Sequence, residues 1–248
     1  MRTVGIIGCG AIGTIIAQAV DNGIIDCDRL ILFDHKKHKA EELKRSMHTS
    51  VMLVDGLEEM ISLKPLVIVE AASQEAVKEY IDRIVTKGIK FIVLSVGALL
   101  GLSTESDKIL IPSGAIGGLD AISSATIAGI DEVALTTRKN PAALNRDDDD
   151  EKVVYEGIAE EAVKLFPTEM NVAATLALAS KKRKVKVKLI SDPKVDRNIH
   201  QIRISWKQGD IEMRFANDPH PENPKTSALA AWSAISLLKS ALAKHHNP

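Results

Sequence analysis

The sequence predicts an α/β protein in two parts: a doubly wound parallel sheet, followed by an α+β domain with an open mixed or antiparallel sheet. Up to about residue 112, short apolar runs alternate with helical patterns, the order that a parallel sheet requires. A glycine-rich turn at 112–118 marks a change of character, and alternating strand patterns dominate after it. We therefore expect a first domain at 1–112, a second at 113–225, and a C-terminal helix at 226–245 that packs back on the first.

The composition is that of an ordinary globular protein. The 248 residues are 45% hydrophobic and 26% charged, and their formal net charge of −1 provides no overall attraction to nucleic acid or an anionic membrane. No apolar run approaches the roughly 20 residues that span a bilayer. Two cysteines do not make a disulfide framework, and the N terminus leads directly into a strand pattern without a signal peptide. We expect a soluble, cytoplasmic protein.

The first strand pattern, 4–7, is followed by Gly-x-Gly-x-x-Gly and a helical pattern. In a dinucleotide site the first glycine permits a tight turn, the second admits the pyrophosphate, and the third lets the helix lie close to the strand. The helix N terminus then offers N–H groups to the phosphates. Together with Asp34, which lies 21 positions after Gly13, this arrangement is typical of a Rossmann domain. The residues expected to bind the cofactor are Gly8, Gly10, Ala11, Ile12, Gly13 and Asp34.

Asp34 favours NAD as the cofactor. Its carboxylate can accept hydrogen bonds from the adenosine ribose, and it would repel a 2′-phosphate. The basic stretch 35–38 follows directly, so binding of NADP is left open.

Two further strand ends carry small residues that suit a ligand site. Ligands bind beyond the carboxyl ends of strands in open α/β sheets, and we expect Ala71, Ala72 and Ser95 to contact the cofactor there. The alternative is that these residues only close loops. The strands predicted for this half are 4–7, 30–34, 50–53, 66–70, 91–95 and 108–111, and the helices are 13–22, 39–47, 56–61 and 74–87.

The second half begins with the turn at 112–118, which is interpreted as a hinge or a second cofactor contact. Residues 140–150 end in four aspartates and are expected to form a solvated loop rather than a metal site. The pattern at 181–190 alternates lysines with apolar residues, which indicates a half-buried strand rather than a nucleic-acid patch. The remaining predictions are helices at 119–128, 151–166, 171–180 and 226–244, and strands at 131–138, 199–206 and 211–215.

The chemistry is expected in this second half. His200, preceded by Asn198, shares a strand face with Ile202, Ile204 and Trp206, and its imidazole suits proton transfer near neutral pH. The alternative is a buried structural histidine. A second candidate is the start of the last helix, where Thr226 or Ser227 is predicted as the N-cap. Lys225, with these two residues, would bind a substrate carboxylate. The alternative there is a cap with an exposed lysine.

Several motifs together resemble the L-aspartate dehydrogenase family, from one end of the chain to the other. The resemblance implies a Rossmann domain, a dimerising α+β domain and NAD(P)-dependent oxidation of L-aspartate through iminoaspartate to oxaloacetate and ammonia. It further implies a link to NAD biosynthesis through quinolinate synthase, a catalytic role for His200, and nucleotide contacts from Ala115 and Asn171. The motifs are Gly8–Gly13, Ser113–Asp120, Phe166–Ala174, Asp192–His200 and Asn223–Ser227.

The sequence leaves two alternative functions open. One is a related two-domain reductase of the homoserine or dihydrodipicolinate type, although the paired-histidine segment of the latter is absent from the sequence. The other is a module that senses NAD without catalysis, against which His200 and the segment 223–227 argue.

Overall fold

The computed structural model describes residues 2–103, 106–181, 184–220 and 223–243. The chain divides into two compact units. The first runs from the N terminus to Ala98, continues over Leu102–Pro112 and includes the chain from Ala231 onward. The second comprises Leu99–Gly101 and Ser113–Ala230.

The first unit contains a six-stranded sheet in the order β3-β2-β1-β4-β5-β6, in which every pair of neighbours is parallel. This confirms the predicted doubly wound parallel sheet, since the strand order reverses direction at β1. The strands are β1 Thr3–Ile7, β2 Arg29–Phe33, β3 Val51–Leu53, β4 Val67–Glu70, β5 Lys90–Val93 and β6 Ile109–Leu110. Its helices are α1 Ala11–Asp21, α2 Lys37–Arg45, α3 Leu57–Ser62 and α4 Gln74–Val85, and a 3-10 helix follows at Val96–Gly101.

The core of this unit explains why its strands read as continuous apolar runs. β1 and β4 are buried along their whole length, because helices cover both faces of a parallel sheet. The C-terminal helix, α8 Ala228–Ala243, contributes Ile235, Leu238 and Leu242 to the same core, and Lys90 Nζ donates a 2.8 Å hydrogen bond to the carbonyl oxygen of Ala241. The end of the chain is thereby an integral part of the first unit.

The second unit is built around a five-stranded mixed sheet in the order β11-β10-β7-β9-β8. The pair β7·β9 is parallel and the other pairs are antiparallel. The elements are α5 Leu119–Ala128, β7 Ile130–Lys139, a 3-10 helix Pro141–Leu144, β8 Lys152–Ile158, α6 Ala159–Leu165, α7 Asn171–Ala179, β9 Val185–Ser191, β10 Asn198–Trp206, β11 Gly209–Asn217, β12 Pro219–His220 and β13 Asn223–Ser227.

One face of this sheet is buried and the other is charged. Along β10 the residues alternate, with His200, Ile202 and Ile204 buried. On the opposite face the side chain of Lys186 pairs with Glu132, and that of Lys188 with Glu156. The predicted half-buried strand is confirmed, and its lysine face forms ion pairs within the sheet.

The predicted helix at 151–166 is wrong in its first half. Lys152–Ile158 is strand β8, which pairs antiparallel with β9, and only Ala159–Leu165 is helical. The segment Val153-Val154-Tyr155 has β-branched and aromatic residues, and a free edge on β9 supplies the partner that a strand needs. Local periodicity could not reveal that edge.

The last helix begins later than predicted. Asn223–Ser227 forms β13, which pairs with β12, so α8 starts at Ala228 and Thr226 is not its N-cap. The amide of Ala228 donates to the carbonyl oxygen of Asp218. Within the described ranges, no helix combines the length and apolarity needed to cross a membrane.

The aspartate run at 147–150 is not uniformly solvated, which corrects the sequence expectation. Asp148 is buried, whereas Asp147, Asp149 and Asp150 are exposed. The carboxylate of Asp148 binds the side chains of Arg146, at 2.5 Å, and Lys152, at 2.9 Å. These hydrogen bonds lower the pKa of Asp148 far below its ordinary value.

We expect Asp148→Asn to lower the melting temperature at neutral pH, because the charged form is the one that the two cations stabilise. A lowered native pKa contributes stability that is present above the unfolded pKa of about 3.9 and is lost as the pH falls toward the native value. The difference between wild type and Asp148→Asn should therefore shrink below about pH 4. Thermal unfolding by circular dichroism measures it, with Asp149→Asn as the exposed control. An equal effect of both variants would contradict the assignment.

Candidate functional site

The glycine turn after β1 has the close approaches that its motif requires. Gly8 has φ +95°, and a Cβ there would lie 2.6 Å from the carbonyl oxygen of Ala71. A Cβ on Gly13 would collide with the carbonyl oxygen of Gly8. The first and third glycines are therefore explained by packing within the protein, and the loop after β4 lies against the glycine turn.

The second glycine is different, because a Cβ on Gly10 would meet no atom of the described residues within 4 Å. Gly10 is the N-cap of α1, the helix start has no side-chain cap, and no acidic residue lies in its first turn. Ala11 and Ile12, both half-buried, begin the helix here. The open space in front of Gly10 and the free helix end fit a pyrophosphate, which the N–H groups and the helix dipole would stabilise.

Asp34 is held in place by main-chain donors at the end of β2. The amide of Cys9 donates to Oδ2 at 2.7 Å, and that of Lys36 to Oδ1 at 2.8 Å. Each carboxylate oxygen can accept a second hydrogen bond, so capacity for ribose hydroxyls remains. Asp34 lines a cavity of about 650 Å³, together with Phe33, His35, Tyr80 and other residues. Its size and aromatic lining suit an adenosine group.

The Cys9 thiol lies inside the glycine turn but is not reactive. Burial, followed by the nearby Asp34 carboxylate and partly offset by Lys39, raises the pKa of Cys9 to about 12. The thiol therefore stays protonated and acts as a small apolar side chain.

Glu70 is an important residue that the sequence reasoning did not single out as a site residue. Its side chain is completely buried at the end of β4. Oε1 accepts hydrogen bonds from Ala72 N and Ser95 Oγ, each at 2.8 Å, and Oε2 accepts one from Ser95 N at 2.9 Å. Burial raises the pKa of Glu70, and these hydrogen bonds oppose the rise. One carboxyl group thus joins the two loops that carry Ala71, Ala72 and Ser95.

His200 is the central residue of the second unit's buried face. It is 2% exposed, and its Nδ1 shares a 3.0 Å hydrogen bond with Oγ1 of Thr137, which lies directly opposite on β7. The donor of this bond depends on the tautomer. Burial, and to a lesser degree the positive charge of Lys139, lower the pKa of His200 to about 3. The imidazole is therefore neutral at physiological pH, and it becomes an effective base only when a bound anion raises this pKa.

Other polar side chains are buried at the same end of the sheet. Asn198, the first residue of β10, is 1% exposed, and Lys139, the last residue of β7, is 2% exposed. The amide of Asn217, on β11 opposite Asn198, donates a 2.9 Å hydrogen bond to the carbonyl oxygen of Ala115. The turn that contains Ala115 is thereby connected to β11, which pairs with β10, the strand that carries His200. Thr137, Lys139 and Asn217 were missed in the sequence, because only strand pairing brings them beside His200.

Asn171 is the first residue of α7, and its buried Oδ1 atom has no hydrogen-bond partner among the described residues. A buried oxygen of this kind is costly unless a ligand or water pairs with it. This observation fits the predicted contact with a nucleotide.

The predicted carboxylate site at 225–227 is described only in part. The backbone of Lys225 belongs to β13, but its side chain lies outside the described residues. Ser227 is buried and immediately precedes α8, so it occupies the N-cap position that the sequence predicted for Thr226 or Ser227. Among the described residues, no three His, Cys, Asp or Glu side chains are grouped to hold a metal ion.

Comparison with protein families assigns both parts of the chain. Residues 8–110 match the family described as the NAD binding domain of homoserine dehydrogenase. Residues 120–241 match the family described as aspartate dehydrogenase, C-terminal. The first match confirms NAD as the cofactor for which the glycine turn and Asp34 are suited.

Individual proteins are similar over nearly the whole chain. The L-aspartate dehydrogenase of Methanosarcina mazei is 42% identical, over 98% of this chain and 97% of its own length. That of Archaeoglobus fulgidus is 41% identical, over 95% and 96% respectively. The crystal structure of aspartate dehydrogenase from Thermotoga maritima superposes with a TM-score of 0.75 at 29% identity, and the match covers 100% of this chain and 97% of that one.

The open space at Gly10 leads to a direct test of the cofactor site. Gly10→Ala should fold normally, since its Cβ meets no protein atom and φ is −82°, but it should weaken NADH binding by about tenfold or more, equivalent to about 1.4 kcal/mol. Fluorescence titration with NADH measures the affinity, and thermal unfolding reports the stability.

Gly101→Ala is the matched control, because a Cβ at Gly101 also meets nothing within 4 Å. Unchanged NADH affinity in Gly10→Ala would place the pyrophosphate elsewhere. A large loss of stability in that variant would show instead that the site is not open.

Proposed function

Since the chain belongs to the L-aspartate dehydrogenase family, we propose that it catalyses the NAD-dependent oxidative deamination of L-aspartate. The single observation that carries this proposal is His200. It is buried, neutral and oriented by Thr137 in a unit that matches the aspartate dehydrogenase C-terminal family.

The proposed reaction has two balanced steps. When bound, NAD supplies the acceptor for the hydride that leaves Cα of L-aspartate, while the nitrogen loses a proton and iminoaspartate forms. Water then adds to the imine carbon, and ammonia leaves to give oxaloacetate. Both steps are reversible, so the same site can run the reductive amination of oxaloacetate.

Two roles are compatible with His200. In the first, its neutral imidazole accepts the proton that the substrate ammonium must lose before oxidation. In the second, it removes a proton from the water that attacks the imine. A bound dicarboxylate would raise the basicity of the imidazole, because a negative charge nearby favours the protonated form. Asn198, buried two residues before it on the same face, is proposed to bind the substrate.

Lys225, Thr226 and Ser227 remain proposed substrate-binding residues, supported by the family motif at 223–227 and by the position of Ser227 directly before α8. Ala11, Ile12, Ala71, Ala72, Ser95 and Asn171 remain proposed contacts of the cofactor, supported by their positions at or just beyond strand and helix ends. Ala115 remains one on the support of the family motif at 113–120.

A wider biological role is proposed on the resemblance to the family. We propose a cytoplasmic homodimer that also accepts NADP and that supplies iminoaspartate to quinolinate synthase for NAD biosynthesis. The two free cysteines, Cys9 and Cys27, support a reducing compartment.

The first test is the reduction of NAD by the purified protein with L-aspartate, beside L-glutamate, L-alanine and L-homoserine. We expect reduction with aspartate alone. In His200→Ala, kcat should fall by about 100-fold or more, whereas the NADH dissociation constant should stay nearly unchanged. His48→Ala is the control, because the His48 side chain is 94% exposed. If NAD binds but no amino acid is oxidised, the protein is a sensing module rather than an enzyme.

A second prediction concerns the protonation of His200. In ¹⁵N spectra of protein with labelled histidine, the His200 ring should remain neutral at pH 5, where an unperturbed imidazole of pKa about 6.5 is mostly protonated. The same spectra identify the tautomer.

Thr137→Val should change that tautomer and lower kcat by roughly tenfold, because the partner of Nδ1 is removed. Thr137→Ser, which keeps the hydroxyl, should restore both. A protonated His200 at pH 5 in the wild type would contradict the proposed neutral base.

A further inference from the structure

Lys139 is a buried cation that neither the sequence motifs nor the family comparisons assign to a role. It is the last residue of β7, lies opposite Ser191 on β9, and is 2% exposed. Lysine is rarely buried to this extent, because removing an ammonium group from water is costly.

The alternation of β7 separates Lys139 from its basic neighbour. Arg138 points to the opposite face, where Nη1 contacts Glu151 Oε2 and Asp192 Oδ2, each at 2.5 Å. Two carboxylates therefore hold the guanidinium, and they raise the pKa of Arg138. Arg138 is a structural residue of the sheet.

Lys139 lies on the same buried face as His200. Thr137, two residues earlier on β7, is the residue opposite His200 and bonds to its Nδ1. Residues i and i+2 of a strand are separated by about 7 Å along one face, which is the length of a small dicarboxylate. The ammonium is also close enough to His200 for its charge to lower the pKa of the imidazole.

We propose that Lys139 is a substrate-binding residue whose ammonium group binds one carboxylate of the dicarboxylic amino acid that is presented to His200. The proposal rests on the proposed function, and it explains how a water-poor site accommodates an anionic substrate. An ammonium–carboxylate hydrogen bond is among the strong contacts in proteins, and it is strongest where water is excluded. A carboxylate bound there also offsets the positive charge that disfavours protonation of His200.

The test measures binding of a substrate-shaped anion separately from turnover. Succinate has two carboxylates but no amine, so it probes carboxylate recognition without reaction. We expect isothermal titration of succinate into the protein–NADH complex to show binding to wild type, and a loss of about 10- to 100-fold in Lys139→Met. The dissociation constant of NADH should stay unchanged, and the KM for L-aspartate should rise more than kcat falls.

Two variants control this experiment. Lys139→Arg keeps the positive charge and should retain part of the succinate affinity. Lys186→Met removes an exposed lysine from the other face of the sheet and should have no effect. If Lys139→Met does not fold, Lys139→Gln replaces it.

The outcomes separate this inference from the proposed function. Wild-type succinate affinity in Lys139→Met, no succinate binding to wild type, or an equal loss of NADH and succinate binding with lowered stability would each overturn the role of Lys139. If wild type binds succinate through Lys139 but does not oxidise L-aspartate, the role of Lys139 stands and the proposed function fails.

Discussion

Burial of parallel strands on both faces is the constraint on which the cofactor-binding unit depends. β1 and β4 have no solvent face, and their backbone groups pair with a strand on each side, so only the groups at the strand ends need partners from the loops. Gly8 accommodates Ala71 at that edge, and Glu70 joins the following loops with three hydrogen bonds. The open space in front of Gly10 is thus a consequence of how the loop after β4 packs against the glycine turn.

In the second unit, the corresponding constraint is the alternation of a sheet with one covered face. Pairing of β10 with β7 places Thr137 opposite His200, and the same alternation brings Asn198 and Lys139 onto the buried face. Burial then sets the chemistry, because burial and the nearby positive charge of Lys139 together keep the imidazole neutral. A histidine in an exposed loop would titrate near pH 6.5 and would lack an oriented partner.

The sequence predicted the parallel sheet, the NAD-binding turn and His200 because each has a local signature. The motif Gly-x-Gly-x-x-Gly between a strand and a helix can be recognised from residues that are close together in the sequence. The alternation of residues around His200 identifies the strand face on which His200 lies. The failures have different causes. β8 was read as a helix because its partner β9 lies about thirty residues further along the chain. The error at Asp148 has a local cause instead, because Arg146 and Lys152 are close in sequence but enclose the carboxylate only through the conformation of the folded loop.

The sequence by itself determined the class of fold, the cofactor and the candidate base, since these depend on residue types at short, regular spacing. The tertiary structure alone decided which side chains surround that base. Thr137 lies 63 residues before His200, and no periodic pattern connects them. Strand pairing brings distant residues together at a register that is set by the whole sheet, and the same pairing decides which charges are removed from water and therefore which can act on a substrate.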